Sequence, residues 1–376
     1  MEKHIIDVIN DSDKGYISFH QFMEMALYHP YDGYYHNESI KIGAQGDFYT
    51  SSNIGDAFGR ALGKWFIYLF SSSNLPKCIV EIGAGTGKIA RGILSAIQEQ
   101  SEAIFSELTY FIIDSSTYHQ KMQKKHLAEF DCISYFSSLE QLDELNGIVF
   151  SNELFDAFPV HVIEQKQGKL YEVMVAVENN KLVEKFVPLH NEYIYQYIEK
   201  QSLHLQENQR IEIPLAMLSY FQTLSKKIHK GLLITIDYGY TTEEWHDPIH
   251  QKGSIRGYYQ HQMISNVLEK PGLMDITTHI HWDALRYGDY GLENAVFYGQ
   301  TEFLLACGIL EDLQNTFSSD PFSEQHKRNR AIRSLIQPGQ ISSHFKVLIQ
   351  SKQLDCSKKW LFDENYQKYV KKSSSP

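Results

Sequence analysis

The chain is predicted to fold as an α/β protein, with a doubly wound, Rossmann-like core of parallel strands interrupted by two insertions. Three observations carry that prediction. From residue 78 onward, short apolar runs alternate with segments of helical apolar spacing, the pattern of βαβ units in a sheet covered on both faces. The alternation is lost over residues 162–213 and 241–294 and resumes after each. The 376 residues, 43% hydrophobic and 22% charged, supply a core for one large domain or two to three smaller ones.

Residues 1–75 read as a helical N-terminal segment around a loop. A helix at 18–28 leads into the turn-rich Tyr31-Asp32-Gly33, a Gly-containing stretch at 42–52 and a helix at 55–71. The core is expected from 76–161, 214–240 and 295–350. Its first strand is Cys78-Ile79-Val80-Glu81-Ile82, and Ile89, Ile93, Leu94 and Ile97 give 88–98 the spacing of a helix. Strands at 108–113, 132–136 and 147–150 follow. Alternating runs at 170–177 and 182–187 predict a hairpin, with helix after it, in the insertion 162–213. A helix at 215–229 and a strand at 231–237 return to the core. After the irregular insertion 241–294 come a strand at 295–298, helices through 310 and around 328–336, and a last strand at 345–349. The tail 371–376 is low in complexity and expected to be disordered.

Charge and composition narrow the function. With 35 basic and 46 acidic side chains the net charge is −11, which opposes phosphate-backbone affinity and argues against a nucleic-acid partner. The first seven residues lack the basic and apolar regions of a signal peptide, and no apolar run approaches the ~20 residues of a membrane span. The expected location is therefore cytoplasmic, without membrane insertion. Cys78, Cys132, Cys307 and Cys356 form no CxxC pair, and His279 with His281, or His246 with His250, offer two ligands without a third at motif spacing. No metal site or disulfide framework is expected. Aromatics gathered at 28–35 and in Gly257-Tyr258-Tyr259 suggest pocket walls. Nothing in the sequence indicates an oligomeric state.

Gly83-Ala84-Gly85-Thr86-Gly87 follows the first core strand and opens its helix, the context that gives a glycine pattern meaning. Glycines there let the backbone approach a ligand without a Cβ in the way. A P-loop would need Gly at Ile82 and Ser or Thr at Ile89, so it fails twice. The dinucleotide fingerprint needs a third Gly where Lys88 stands, which disfavours NAD. The remaining pattern, Glu81 followed by Gly83, Gly85 and Gly87, suits adenosylmethionine, which has no pyrophosphate. Asp114, 27 residues after Gly87, ends the second strand, where a carboxylate can accept hydrogen bonds from ribose hydroxyls.

The fourth strand runs into Ser151-Asn152-Glu153-Leu154-Phe155-Asp156-Ala157-Phe158-Pro159-Val160-His161. With this segment the chain resembles the MidA family of class I adenosylmethionine-dependent methyltransferases, which includes the mitochondrial respiratory complex I assembly-factor methyltransferase. The resemblance spans nearly the full length. It begins at Phe22-Met23-Glu24-Met25-Ala26-Leu27-Tyr28-His29-Pro30, Gly33-Tyr34-Tyr35 and Gly46-Asp47-Phe48-Tyr49-Thr50-Ser51. It continues through Ile236-Asp237-Tyr238-Gly239-Tyr240, Gly253-Ser254-Ile255-Arg256-Gly257-Tyr258-Tyr259, Asp275-Ile276-Thr277-Thr278-His279-Ile280, Pro338-Gly339-Gln340 and Phe345-Lys346-Val347-Leu348. Asp114 departs from the Glu that many relatives carry there, and a shorter carboxylate still reaches ribose.

The resemblance implies a seven-stranded methyltransferase core whose N-terminal segment and insertions cover the active site, with S-adenosylmethionine as cofactor. Glu81, Gly83, Gly85, Gly87 and Asp114 are the expected cofactor residues. Glu153 and Asp156, just past the fourth strand where such sheets bind ligands, are expected to bind a protein acceptor, an arginine in the mitochondrial relatives, and to accept its proton. Asn152 stands beside them. Asp47, Phe48, Tyr49 and Thr50 suit a lid, and Asp237, Tyr238 and Arg256 suit the acceptor pocket. An NAD-dependent oxidoreductase is the competing enzyme. A protein-binding assembly factor that keeps the pocket without turnover is the competing non-enzyme.

Overall fold

The strands of the main sheet are β1 (Cys78–Ile82), β2 (Thr109–Ile113), β3 (Ile133–Phe136), β4 (Leu145–Asn152), β5 (Ile228–Tyr240), β6 (Glu293–Gly299) and β7 (Phe345–Lys352). They are seen in a computed structural model that describes residues 1–36, 52–260, 262–313, 320, 323–337, 344–354 and 361–362. Their order across the sheet is β3-β2-β1-β4-β5-β7-β6, and the two-residue strand Ile280–His281, off this path, pairs in parallel with Gly239 and Tyr240 of β5 as an eighth. The pairs from β3 to β5 are parallel, and β6 runs antiparallel to β7. Ile79, Val80, Ile148, Val149, Phe150, Leu232 and Ile234 are fully or almost fully buried, as the continuous apolar runs of a sheet covered on both faces require. Strand order reverses between β1 and β4, and ligands of open α/β sheets bind beyond the carboxyl ends at such a switch point.

The chain divides into two units. The sheet unit comprises Thr50–Glu153, Leu224–Asp237 and Asp289–Pro376. Within it the helix Ser52–Ser72 lies against the helix Lys88–Gln100. Contact is close because glycines face it: a Cβ on Gly59 would stand 2.3 Å from the Ile89 carbonyl oxygen, and one on Gly63 2.7 Å from that of Ile93. The helix therefore belongs with the core rather than with the N-terminal segment 1–75, where its sequence position had put it.

The second unit comprises Met1–Tyr49, Leu154–Thr223 and Tyr238–Gly288. The expected hairpin is present as Lys169–Glu178 paired with Lys181–Pro188, but it belongs to a larger sheet. His161–Lys166, Arg210–Ile213 and Tyr16–Ser18 complete that sheet. The N-terminal segment thus contributes a strand, which at three residues is too short for periodicity to reveal. The unit takes in residues 154–161, 214–223 and 238–240 as well, which the sequence had assigned to the core, so both insertions begin earlier than expected. Insertion 241–294 holds its own sheet of Arg256–Tyr259, Gln262–Ile264 and Asp275–Thr277. Ser18 starts the helix Phe19–Tyr28 through a capping box with Gln21. Phe19, Phe22, Met23 and Leu27 of that helix pack with Val162, Val173, Val175, Met274 and Ile276, so three distant segments share one core. The expected lid residues Asp47, Phe48, Tyr49 and Thr50, the segment Pro338-Gly339-Gln340, Cys356 and the tail 371–376 lie outside the described residues.

Candidate active site

In the sheet unit, β1 delivers Glu81 and then the glycine loop. Gly83, Gly85 and Gly87 have φ of 73°, 53° and 80°, left-handed backbone that favours glycine. A Cβ on Gly85 would meet nothing within 4 Å, so the loop leaves an open cradle there. Gln123 binds both the loop and β2: its Nε2 donates to the Gly85 carbonyl oxygen at 2.8 Å and to Asp114 Oδ2 at 2.7 Å. Asp114 Oδ1 accepts from the Ser116 N–H at 2.9 Å, and His126 Nδ1 lies 2.8 Å from the Thr86 carbonyl oxygen. Gln123 and His126 were missed by sequence reasoning. They lie on the helix Thr117–His126 after Asp114, with no motif to mark them.

Glu81 is 2% exposed and accepts a hydrogen bond from the Tyr110 hydroxyl at 2.6 Å. Burial pushes its carboxyl up to about 7; the Asp114 charge adds to this and the Tyr110 hydrogen bond opposes it. At the end of β4, Asn152 Nδ2 donates to Glu153 Oε1 at 3.1 Å. Glu153 has φ 51°, and its N–H donates to the Ile236 carbonyl oxygen at 2.9 Å. A left-handed glutamate is costly and tends to occur where function demands it. Asp237, near the end of β5, is wholly buried rather than in an exposed turn.

In the second unit, Asp156 sits in the short 3-10 turn Phe155–Ala157 and is 4% exposed. Bonds from three other residues hold this turn. The Tyr238 hydroxyl donates to Asp156 Oδ2, the Thr278 N–H donates to the Asp156 carbonyl oxygen at 2.8 Å, and the Tyr28 hydroxyl donates to the Ala157 carbonyl oxygen at 3.0 Å. Asp156 Oδ1 is buried with no hydrogen-bond partner among the described residues. Burial raises the carboxyl to about 6, against the Tyr238 hydrogen bond and the Ala157 and Asp156 backbone N–H groups. Tyr35 donates to Asp275 Oδ1 at 2.8 Å, and its hydroxyl is held well above its usual range by burial, then by the charges of Asp275 and Asp156.

Behind Tyr238, the His279 ring meets it edge to face at 5.1 Å and stacks on Tyr240 at 4.4 Å. Arg256 Nη2 donates to His279 Nδ1 at 2.9 Å and its Nε donates to the Ser254 carbonyl oxygen. Arg256, expected to suit the acceptor pocket, is half-buried and bonded within the unit to Ser254 and His279. His281 is likewise internal: the Tyr197 hydroxyl lies 2.7 Å from its Nδ1, and burial lowers its pKa to about 3.

Residues 61–296 match the Methyltransf_28 family, described as an S-adenosyl-L-methionine-dependent methyltransferase. The chain is similar to "Protein arginine methyltransferase NDUFAF7, mitochondrial" of Danio rerio, 26% identical over 363 residues that cover 88% of this chain and 82% of the relative. The protein of the same name from Mus musculus is 25% identical over 315 residues, 76% of this chain and 69% of the relative. A solved COG1565 superfamily structure from Burkholderia thailandensis, bound to S-adenosyl-homocysteine, superimposes with a TM-score of 0.84 at 25% identity, covering 95% of this chain and 92% of the other. These matches favour methyl transfer over the NAD-dependent and non-enzymatic readings. They overturn the cytoplasmic location, because the relatives are named mitochondrial proteins. That expectation rested on the first residues and on the lack of an apolar span, and neither reports a compartment. Among the described residues no helix is long and apolar enough to cross a membrane.

Proposed function

The chain belongs to the Methyltransf_28 family of MidA-like S-adenosyl-L-methionine-dependent methyltransferases, and on that premise we propose that it methylates an arginine side chain of a protein. Its cofactor is S-adenosylmethionine, which supplies an electrophilic methyl group on a sulfonium. The open cradle at Gly85 and the two buried carboxylates, Glu81 near the end of β1 and Asp114 just after β2, fit that group. Glu81, Gly83, Gly85, Gly87 and Asp114 would hold it, with Gln123 fixing the loop against Asp114.

The observation that carries the arginine reading is the buried Asp156 carboxylate whose Oδ1 has no partner among the described residues. A buried anionic oxygen without a partner is costly, and a guanidinium satisfies it through a charge-assisted bond. Asp156 orients the guanidinium and takes the proton that the attacking nitrogen sheds once the new N–C bond forms. A carboxyl raised to about 6 is ionised at neutral pH and can take that proton transiently. Glu153, Asn152, Asp237 and Tyr238 assist on the acceptor side. The names of the zebrafish and mouse relatives support a protein arginine as acceptor.

The test uses methyl-labelled cofactor and an extract from a strain deleted for this gene. Digestion and mass spectrometry are expected to find label on arginine in protein. Label confined to metabolites or nucleic acid overturns the reading.

A further inference from the structure

We propose that Tyr238 is the positioning residue for Asp156: its hydroxyl holds Oδ2 and thereby presents Oδ1 as the oxygen that meets the acceptor. The inference deepens the arginine reading and rests on it for the acceptor's identity. The geometry is specific. Of the two Asp156 oxygens, Oδ2 is bonded by Tyr238 and Oδ1 is buried and unpartnered among the described residues. The carboxylate cannot turn without breaking the tyrosine bond, and the backbone beneath it is fixed by Thr278 and Tyr28. Tyr238 is itself held, edge to face against His279, whose Nδ1 takes a hydrogen bond from Arg256. A supported second layer of this kind fixes a functional group to the tolerance that chemistry needs.

The titratable and charged groups around Asp156 come from three segments. Tyr35, bonded to Asp275, belongs to the N-terminal segment, Tyr238 to β5, and Asp275, His279 and Arg256 to the second insertion. Of these, Tyr238 donates directly to the carboxylate, and that bond favours its ionised form. Tyr238→Phe keeps the ring that packs on His279 and removes only the donor.

The experiment is a 13C NMR titration of the Asp carboxyl carbons in the full chain, with the Asp156 signal assigned from its loss in Asp156→Asn. The Asp156 midpoint is expected to rise by about one unit in Tyr238→Phe. With 3,5-difluorotyrosine at 238, a stronger donor, it is expected to fall, which guards against a folding defect in the phenylalanine variant. The acid limb of the transfer-rate profile should move with the midpoint, while the KM for the methyl donor stays put. An unchanged midpoint in both variants overturns the positioning role whatever the acceptor is. Full transfer by Asp156→Asn overturns the arginine reading instead, and the midpoints still decide the role of Tyr238.

Discussion

Glu81 and Asp156 are two buried carboxylates built alike and finished differently. Each accepts a hydrogen bond from a tyrosine hydroxyl, Tyr110 for Glu81 and Tyr238 for Asp156, and burial raises each, to about 7 and about 6. Among the described residues Glu81 has no oxygen that is both buried and unpartnered, whereas Asp156 has one. The contrast suggests different duties. Glu81 of β1 is tied to Tyr110 of the neighbouring β2, and its carboxyl can be neutral in place. Asp156 Oδ1 lacks a partner among the described residues, and on that oxygen the proposed acceptor role rests.

The widest test of this contrast is Asp156→Asn. Replacing the charge while keeping the size should remove about 2 to 4 kcal/mol of transition-state stabilisation, so transfer falls about 30-fold or more with cofactor affinity unchanged in calorimetry. Equal losses of transfer and affinity would mean that Asp156 serves the cofactor.

Glu81→Gln probes the other carboxylate through stability. Because the folded-state pKa of Glu81 is raised from 4.5 to about 7, the folded protein binds this proton more tightly than the unfolded chain does. Its contribution is thus most favourable below about pH 4.5 and is lost as pH rises through about 7. The glutamine variant escapes that loss. It should gain on wild type by up to about 3 kcal/mol between pH 4.5 and pH 8, as read from denaturant unfolding at each pH. A difference that stays constant with pH would show that Glu81 is not held protonated by its burial.

Gly85→Val tests the cradle. A β-branched residue at φ 53° strains the backbone by about 1 to 2 kcal/mol and fills the open space. Cofactor affinity should drop about tenfold or more while the Asp156 titration is unmoved. Glu153→Gly should have the smallest effect. Relief of the left-handed strain offsets the added freedom of the unfolded chain, so thermal unfolding should show a change within about 0.5 kcal/mol, alongside a several-fold loss of transfer. A large stability loss would make Glu153 a structural anchor.

The two regions were also unequally legible. The proposed cofactor loop stood out because its parts are local: an apolar strand, three glycines in five residues and an acid at the end of the next strand. Its supports Tyr110, Gln123 and His126 were not readable, since a hydrogen bond between neighbouring elements leaves no periodic trace. Of the residues proposed to meet the acceptor, Asn152, Glu153 and Asp156 stood out through the family's segment, and Tyr238 and His279 lay within other segments of that resemblance. Their bonding to one another was not.

The alternation of strands and helices, the glycine loop and the acidic charge were determined by the sequence alone, because backbone conformation, burial period and net charge are properties of neighbouring residues. Only the tertiary structure decided that Tyr16–Ser18 joins the sheet of the first insertion, that Arg256 turns inward to His279, and that Tyr238 occupies one oxygen of Asp156 and leaves the other. The Asp156–Tyr238 bond joins residues 82 apart. Whether such a bond forms depends on how separate segments pack and how much water they exclude, and no local pattern encodes that.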